Sequence, residues 1–262
     1  ILQNIYPKTP EQSEKVCIMQ VPMEINVADQ RILLFSPQLN GTEAQEKAWQ
    51  KKTIAFDTLS KVSSFLSPPK DEDFELTYQE YRYQPFWHVI AKAHYKYDRT
   101  NQYQVPTSAK EVERLAINQA DYEVIQGHIH LSVVEHCVQE EQDEVFVDGL
   151  SGKTEPNLKK YLSHTFEQVK TKLETKIPSE AILVPPHARV SAIMRDSLSK
   201  MIKGIQADTI LEEIVEVPYI DLYYHPVYAF QCLWKSKQKE AIVEVDGLTG
   251  QIVAGDRTFS EY

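Results

Sequence analysis

The chain has 262 residues, 42% of them hydrophobic and 25% charged, so it can bury a core as one large or two small domains. Its 38 acidic and 28 basic residues give a formal net charge of −10, which argues against a nucleic-acid-binding surface and against binding to anionic membranes. Three widely spaced cysteines, Cys17, Cys137 and Cys232, form no disulfide framework. No apolar run is long enough to cross a membrane, and we expect a cytoplasmic protein.

The first half predicts one helix followed by long strands. After an extended arm and short strands near 16–23 and 32–35, Thr42 and Gln45 form a capping-box pattern that opens a helix of about 42–66. Strands are predicted over about 74–150. The apolar phase shifts near Glu80, which predicts a β-bulge or a break. A turn is predicted at 98–101 and an acidic loop at 139–144.

The second half predicts two helices and then strands again. Apolar residues recur three and four positions apart over about 156–176, with Pro156 in the first turn, and again over about 188–204. Strands are predicted over about 210–253.

Two stretches of the chain occur twice. Tyr83–Val89, with Pro85 at its centre, is echoed by Tyr224–Phe230, with Pro226 in the same place. Apolar residues alternate in both, which predicts long, half-buried antiparallel strands with Arg82, Gln84 and His88 on the polar face of the first. Because proline has no N–H, each should mark an edge, a bulge or a strand start, with a bend.

The second repeated stretch reads Val-x-Val-Asp-Gly-x-(Ser/Thr)-Gly, at 145–152 and at 243–250. Asp-Gly after a strand predicts a turn, since Gly allows positive φ and Asp caps the turn with its side chain. A phosphate-binding loop is the alternative, because 152–154 reads Gly-Lys-Thr. The spacing argues against it, since Val147 stands where that loop needs a glycine and Gln251 replaces the lysine in the second copy.

The hairpin over Ala241–Val253 resembles that of PepSY-type modules and similar small bacterial β-rich domains, with an echo at Glu144–Lys153. Those modules are mostly non-catalytic binding or inhibitory domains, so the resemblance implies a binding role. No functional residue is carried over from it.

These patterns predict an α+β fold of antiparallel sheets with flanking helices and an internal duplication, each half reading helix, long strand with a central proline, and hairpin. We predict two lobes, 1–154 and 155–262. One pseudo-symmetric sheet with helices on one face is the alternative.

His128 and His130 form the strongest candidate metal site. Two residues apart on a strand, their rings lie about 7 Å apart on one face and could share zinc or iron. A third ligand would have to come from a neighbouring strand, for example from His88 or His94. Surface histidines on the polar face of a sheet are the alternative, and no other cofactor is predicted.

The chain contains no recognisable catalytic motif. Aromatic residues on the repeated strands could form a protein-binding face, although strand spacing also suits a core: Tyr83, Phe86, Trp87, Tyr224 and Tyr228. We therefore predict a non-catalytic module of a larger bacterial assembly that binds a protein or peptide. A metal-dependent enzyme using His128 and His130, and a small-molecule-binding domain, are the alternatives.

Overall fold

The computed structural model describes residues 21–56 and 70–255. Its strands are β1 (Glu24–Val27), β2 (Arg31–Phe35), β3 (Phe74–Pro106), β4 (Arg114–Ile117), β5 (Ala120–Glu123), β6 (His128–Asp148), β7 (Phe166–Gln168), β8 (Ala181–Leu183), β9 (Thr209–Trp234), β10 (Lys239–Asp246) and β11 (Ile252–Gly255). Its α-helices are α1 (Gly41–Lys51) and α2 (Val190–Met201). Short 3₁₀ segments cover Lys52–Phe56, Asp71–Asp73, Pro156–Ser163, Leu173–Thr175 and Lys235–Lys237. Sheet and helices together give the α+β class.

Nine of the described strands are joined in one sheet, and β4 and β5 form a separate hairpin. β10 pairs antiparallel with β9 and with β11. β2 pairs parallel with β9, and β8 pairs parallel with β3. The predicted antiparallel sheet is therefore a mixed one, because short strands from distant parts of the chain lie parallel beside the two long strands.

The chain packs into two compact units, each built from three segments. Among the described residues, unit 1 contains 21–25, 93–140 and 204–214, and unit 2 contains 26–56, 70–92, 141–203 and 215–255. The predicted lobe boundary after 154 falls inside unit 2. The reason is the pairing of β2 with β9 and of β8 with β3, which mixes the two halves of the chain.

The long strands continue through three predicted interruptions. β3 runs without a break from Phe74 to Pro106, past the predicted break near Glu80 and the predicted turn at 98–101, and β6 contains the predicted acidic loop at 139–144. Cross-strand polar contacts explain the region of the predicted turn. Asp98 contacts the His136 ring at 2.8 Å, and Arg99 pairs with Glu135. Charged residues that suit a loop thus find partners on the neighbouring strand.

The prediction of a helix over 156–176 is wrong. The chain instead forms a 3₁₀ segment to Ser163 and then β7, which pairs antiparallel with β2. The Val169 N–H donates to the Ile32 carbonyl at 2.9 Å and continues this pairing. Tertiary hydrogen bonds to an exposed strand edge therefore override the apolar pattern at helical spacing.

The helix predicted over 42–66 begins one residue early and is capped differently. The Asn40 side chain accepts from the Glu43 N–H at 3.0 Å, and the Glu43 carboxylate accepts from the Asn40 N–H at 3.0 Å. This is a capping box shifted two residues from the predicted Thr42–Gln45 pair. α1 ends at Lys51 and the chain turns 3₁₀, while residues 57–66 lie outside the described residues. α2 lies within the predicted 188–204.

The two repeated stretches meet at contacts that we call the Pro–Gly junctions. In the first, the Gly149 N–H donates to the Pro85 carbonyl at 2.9 Å; in the second, the Gly247 N–H donates to the Pro226 carbonyl at 2.8 Å. A non-proline residue would return a hydrogen bond to the glycine carbonyl, as in an antiparallel pair. Proline has no N–H, so each glycine carbonyl remains available to another donor.

A segment preceding a helix supplies those donors at each junction. The Gln38 and Leu39 N–H groups donate to the Gly247 carbonyl at 2.8 and 3.1 Å just before α1. The His187 and Ala188 N–H groups donate to the Gly149 carbonyl at 2.8 and 3.0 Å just before α2. Each proline therefore lies inside a long strand at the point where a third chain segment joins, which differs from the predicted edge or strand start.

Side-chain contacts follow the same scheme at both junctions. The Trp87 indole donates to the Ala188 carbonyl at 3.0 Å, and the Tyr228 hydroxyl donates to the Leu39 carbonyl at 2.9 Å. Trp87 lies two residues after Pro85, as Tyr228 lies two residues after Pro226. The segments before α1 and α2 are thus fixed by equivalent bonds from equivalent strand positions.

The strands around the prolines are buried on both faces. Arg82, Gln84 and His88, predicted to lie on a polar face, are 1%, 8% and 6% exposed. The prediction of a half-buried strand is therefore wrong near Pro85. The polar face is covered by packed rings, since His88 stacks on Phe146 at 4.3 Å between centroids.

Replacing Gly149 with Ala should destabilise the protein by about 1–3 kcal/mol. A methyl group there would lie 2.5 Å from the Pro85 carbonyl oxygen and 2.8 Å from its carbonyl carbon, so the backbone would have to move. Urea unfolding measures the change. Gly204→Ala is the matched control, because a Cβ there meets no atom within 4 Å, and it should leave stability unchanged or slightly raised. Equal stabilities for the two variants would contradict the junction geometry.

Candidate functional site

The five aromatic residues predicted to bind a partner are all buried. Their exposed fractions lie between 0% and 7%: Tyr83, Phe86, Trp87, Tyr224 and Tyr228. Phe86 belongs to a core cluster with Phe35 and Tyr223. These side chains therefore do not form the exposed aromatic face that the prediction requires. Tyr228 lines a groove of unit 2.

That groove has a volume of about 1140 Å³, and we call it the acidic groove. It is bounded by the segment leading into α1, the start of β3, residues near β8 and part of β9, with these lining residues: Pro37, Gln38, Leu39, Asn40, Gly41, Thr42, Glu43, Gln45, Tyr78, Gln79, Glu80, Tyr81, Pro178, Glu180, Ile182, Tyr228 and Phe230. The groove is open to solvent along one side and is large enough for a short chain segment.

Two stacked tyrosines fix one wall of the acidic groove. The Tyr81 and Tyr228 rings are parallel within 10°, with centroids 4.6 Å apart. The Tyr81 hydroxyl donates to the Tyr83 hydroxyl at 2.9 Å, while Tyr228 is tied to the Leu39 carbonyl. Burial raises the pKa of both phenols above the ordinary value, so they remain neutral donors at physiological pH. The wall is thus preorganised and lies next to the second Pro–Gly junction.

The acidic groove carries charge of one sign. The described lining residues include three carboxylates, Glu43, Glu80 and Glu180, and no Lys, Arg or His. The Glu43 carboxylate accepts from the Asn40 N–H in the cap of α1, and Glu180 accepts from the Ser179 hydroxyl at 3.3 Å. The Oε2 atom of Glu80 is buried and has no hydrogen-bond partner. Desolvation raises the pKa of the Glu80 carboxyl, and Arg82 opposes that change.

A second acidic side chain lies at the matching place on β9. Asp221 is five residues before Pro226, as Glu80 is five residues before Pro85, and its side chain is 2% exposed. Arg31 of β2 binds both Asp221 oxygens at 2.7 Å and lies over the Tyr219 ring, with Cζ 5.0 Å from the centroid. Asp221 therefore has a bidentate guanidinium partner from within the chain.

A further buried ion pair joins the two halves of the chain. Arg82 of β3 contacts Glu244 of β10 at 2.7 Å, with side chains 1% and 9% exposed. On strand β3, His88 contacts Glu144 at 3.0 Å, and Lys159 holds the other Glu144 oxygen at 2.7 Å. Burial lowers the pKa of His88, against the opposing effect of Glu144.

His225 lies in the core beside the second Pro–Gly junction. Its ring stacks on Tyr161 with centroids 4.9 Å apart, and its Nδ1 has no hydrogen-bond partner. The Tyr161 hydroxyl donates to Asp246, whose other oxygen accepts from the Leu248 N–H at 2.8 Å. Desolvation lowers the pKa of His225, although Asp246 and Asp148 act in the opposite direction. A neutral imidazole is therefore part of this packing.

His128 and His130 lie at the start of β6 in unit 1. The His128 Nδ1 is 3.0 Å from the Gln126 carbonyl, and His130 is exposed. Of the side chains named as third ligands, His88 contacts Glu144, and His94 lies 3.5 Å from Glu140 and 3.3 Å from Glu212. Within residues 21–56 and 70–255, no three His, Cys, Asp or Glu side chains are grouped to hold a metal.

Comparison of the chain with protein-family models, with curated proteins and with solved structures found no match. The similarity of the Asp-Gly hairpin to PepSY-type modules remains a local resemblance over 241–253. Among the helices that the structure describes, none has the length and apolarity needed to cross a bilayer.

Sequence reasoning missed the acidic groove and the Arg31–Asp221 pair. One signal was present, because the repeats extend upstream of the prolines. Glu75-Leu-Thr-Tyr-Gln-Glu80 matches Glu216-Val-Pro-Tyr-Ile-Asp221, and both precede the Pro-centred strands by the same distance. Leu33-Leu-Phe-Ser-Pro37 likewise matches Ile182-Leu-Val-Pro-Pro186. These matches place Tyr78 with Tyr219 and Glu80 with Asp221.

Arg31→Met should cost about 2–3 kcal/mol of folding free energy, because it leaves the buried Asp221 without its cation. The cost falls below that of a fully buried pair because the Arg31 side chain is 38% exposed. Chemical denaturation measures it. Arg195→Met, in an exposed pair with Asp196 at 3.8 Å, should change stability by no more than about 0.5 kcal/mol. Similar losses in both variants would contradict this ranking.

The stability of the protein should fall as the pH drops below about 6.5, the ordinary imidazole value. The unfolded chain takes up a proton there that His225 does not accept in the folded state, so acidification lowers the free energy of the unfolded state relative to the folded state. His225→Gln introduces the residue type found at the matching strand position, Gln84, and should make stability depend less steeply on pH. Part of the dependence should remain, because burial also lowers the pKa of His88. Urea midpoints across this range measure the effect. His130→Gln, at an exposed position, is the control, and equal slopes in all three proteins would contradict the assignment.

Proposed function

We propose that the chain is a non-catalytic binding module that takes a segment of a protein or peptide partner in the acidic groove. One observation carries the proposal: a groove of about 1140 Å³ whose described lining has three carboxylates, three tyrosines and no cationic side chain. Tyrosine is typical of protein-binding sites, because it offers a large rigid surface with a polar end. A lining that carries carboxylates and no cationic side chain favours a basic partner.

The fixed wall supports binding more than chemistry. Tyr81 and Tyr228 are stacked and hydrogen-bonded, with pKa values raised away from the physiological range, so they can offer contact area and neutral hydroxyls. A preorganised wall reduces the entropy that is lost on binding. The polar lining also favours a peptide over the small-molecule ligand given above as an alternative.

We also infer that the two halves of the chain arose by internal duplication. The support consists of matched contacts: a glycine bonded to a strand proline, a pair of N–H groups before a helix bonded to that glycine, and an aromatic side chain bonded to the same segment. The parallel pairing of β8 with β3 and of β2 with β9 has the same register relative to each proline. A duplicated ancestor would have formed this arrangement as a symmetric dimer.

Selection of random peptides displayed on phage, with the purified protein as bait, tests the binding proposal. Selected peptides should be enriched in Lys and Arg, and Tyr78→Ala should weaken their binding at least about tenfold, because Tyr78 lines the groove. Tyr219→Ala is the matched control, since Tyr219 is similarly exposed at the equivalent strand position and does not line the groove. Peptides that bind both variants as well as the wild type would contradict the proposal.

A further inference from the structure

Strand β9 shows what a tyrosine and an acidic residue can bind when they lie seven and five residues before the strand proline. Near β2 and β9, Asp221 holds the Arg31 guanidinium through two bonds of 2.7 Å, and Tyr219 faces the same guanidinium at 5.0 Å. The planar fork of arginine fits a carboxylate bidentately and stacks on an aromatic face. Arg31 thus fills a site made by Tyr219 and Asp221.

The same two residue types recur at the matching positions of β3. Tyr78 and Glu80 precede Pro85 by seven and five residues, as Tyr219 and Asp221 precede Pro226. Tyr78 and Tyr219 are also similarly exposed, at 48% and 42%. Both β3 residues line the acidic groove.

The cation is the component that differs between the two places. Arg31 is opposite Asp221 in the parallel pairing of β2 with β9. In the parallel pairing of β8 with β3, Ala181 is opposite Tyr81, so the residue one step earlier, opposite Glu80, is Glu180. A carboxylate therefore stands where the other half has its guanidinium, and the described groove lining supplies no substitute.

Glu80 shows the consequence of that difference. Its Oε2 is buried without a hydrogen-bond partner, whereas both oxygens of Asp221 are bonded to Arg31. Arg82, two residues along β3, lowers the pKa of the Glu80 carboxyl but gives Oε2 no hydrogen bond. Because Oε2 is covered by protein atoms, the Glu80 side chain has to turn toward the groove to meet a guanidinium from outside the chain, which would supply the donors that it lacks.

We propose that Tyr78 and Glu80 form a guanidinium subsite in the acidic groove, which takes an arginine side chain of the partner in the way that Tyr219 and Asp221 hold Arg31. This proposal rests on the proposed function, and it narrows the basic partner to one that presents arginine. Glu180 adds a second negative charge on the same groove. Lysine would be bound less well, since its ammonium offers no planar fork to the carboxylate.

Titration of the ¹⁵N-labelled protein with N-acetyl-arginine amide, followed by NMR, tests the subsite at a pH where carboxylates are ionised. Backbone signals of the groove, such as those of Thr42 and Gln79, should shift with an affinity on the order of 1 mM. N-acetyl-citrulline amide, which has the same shape without the charge, and N-acetyl-lysine amide should bind roughly tenfold more weakly or not at all. Absence of arginine-dependent shifts in the groove, or equal shifts with citrulline, would overturn the proposal.

Two variants separate the subsite from general attraction to an acidic surface. Glu80→Gln should weaken the arginine probe roughly tenfold or more. Glu180→Arg, which places an internal guanidinium where the other half has Arg31, should abolish probe binding and raise the melting temperature, whereas Glu180→Gln should retain most of the binding. Because Glu180 is exposed, these two variants test the site even if Glu80→Gln folds poorly. Unchanged probe binding in Glu180→Arg would overturn the subsite.

The outcomes also distinguish this proposal from the proposed function. If selected peptides shift the groove signals but contain no arginine, and the arginine probe does not bind, the guanidinium subsite is wrong and the binding module stands. If neither peptides nor probe shift the groove signals, both proposals are wrong.

Discussion

The structure of unit 2 depends on two glycine carbonyls that remain free for other donors because the strand residue opposite each of them is a proline. At each junction a glycine approaches a strand proline so closely that a Cβ would lie within 3 Å of it, and the proline returns no N–H to the glycine carbonyl. That carbonyl accepts two N–H groups from the segment that starts the next helix. Because Gln38 and Leu39 reach Gly247, and His187 and Ala188 reach Gly149, each half of the chain completes the junction of the other half.

The acidic groove is a consequence of the second junction. The segment from Pro37 to Gly41 is held against Gly247 and Tyr228 and forms one side of the groove. The other side comes from β3 and from residues next to β8, whose parallel pairing places Glu180 near Glu80. The junction hydrogen bonds and the parallel pairing are therefore alike in the two places, while the side chains differ: Arg31 closes one place, and the other is an open groove.

The turn pattern of the sequence predicted local structure correctly. The Asp-Gly words form turns in which the Asp side chain accepts backbone N–H groups. The positive φ falls on the later glycines of each word, Gly152 and Gly250, at 70° and 68°, and not on the glycine that follows the Asp. The α+β class, which was predicted and is observed, follows from the mixture of alternating and helical patterns in the sequence. The pairing of β2 with β9 and of β8 with β3 could not be predicted from local sequence, because nothing local to β2 specifies β9 as its neighbour.

The errors in the site prediction have a related cause. Alternation placed Arg82 and His88 on a solvent face, yet Glu244 and Phe146 cover them from strands distant in sequence. Helical spacing over 156–176 was equally misleading, since the edge of β2 recruits Phe166–Gln168 into the sheet. Tyr78 and Glu80 were visible only as a match to Tyr219 and Asp221, and their meaning depends on the presence of Arg31 in one place and Glu180 in the other.

A crystal structure of the protein soaked with N-acetyl-arginine amide tests the central claim most directly. The account predicts a guanidinium bonded through two nitrogens to the Glu80 carboxylate and lying over the Tyr78 ring, superimposable on Arg31 with Asp221 and Tyr219 after rotation of one half onto the other. A structure in which the Glu80 carboxylate is already paired with a group of the protein itself, and the soaked ligand lies elsewhere or is absent, would contradict it.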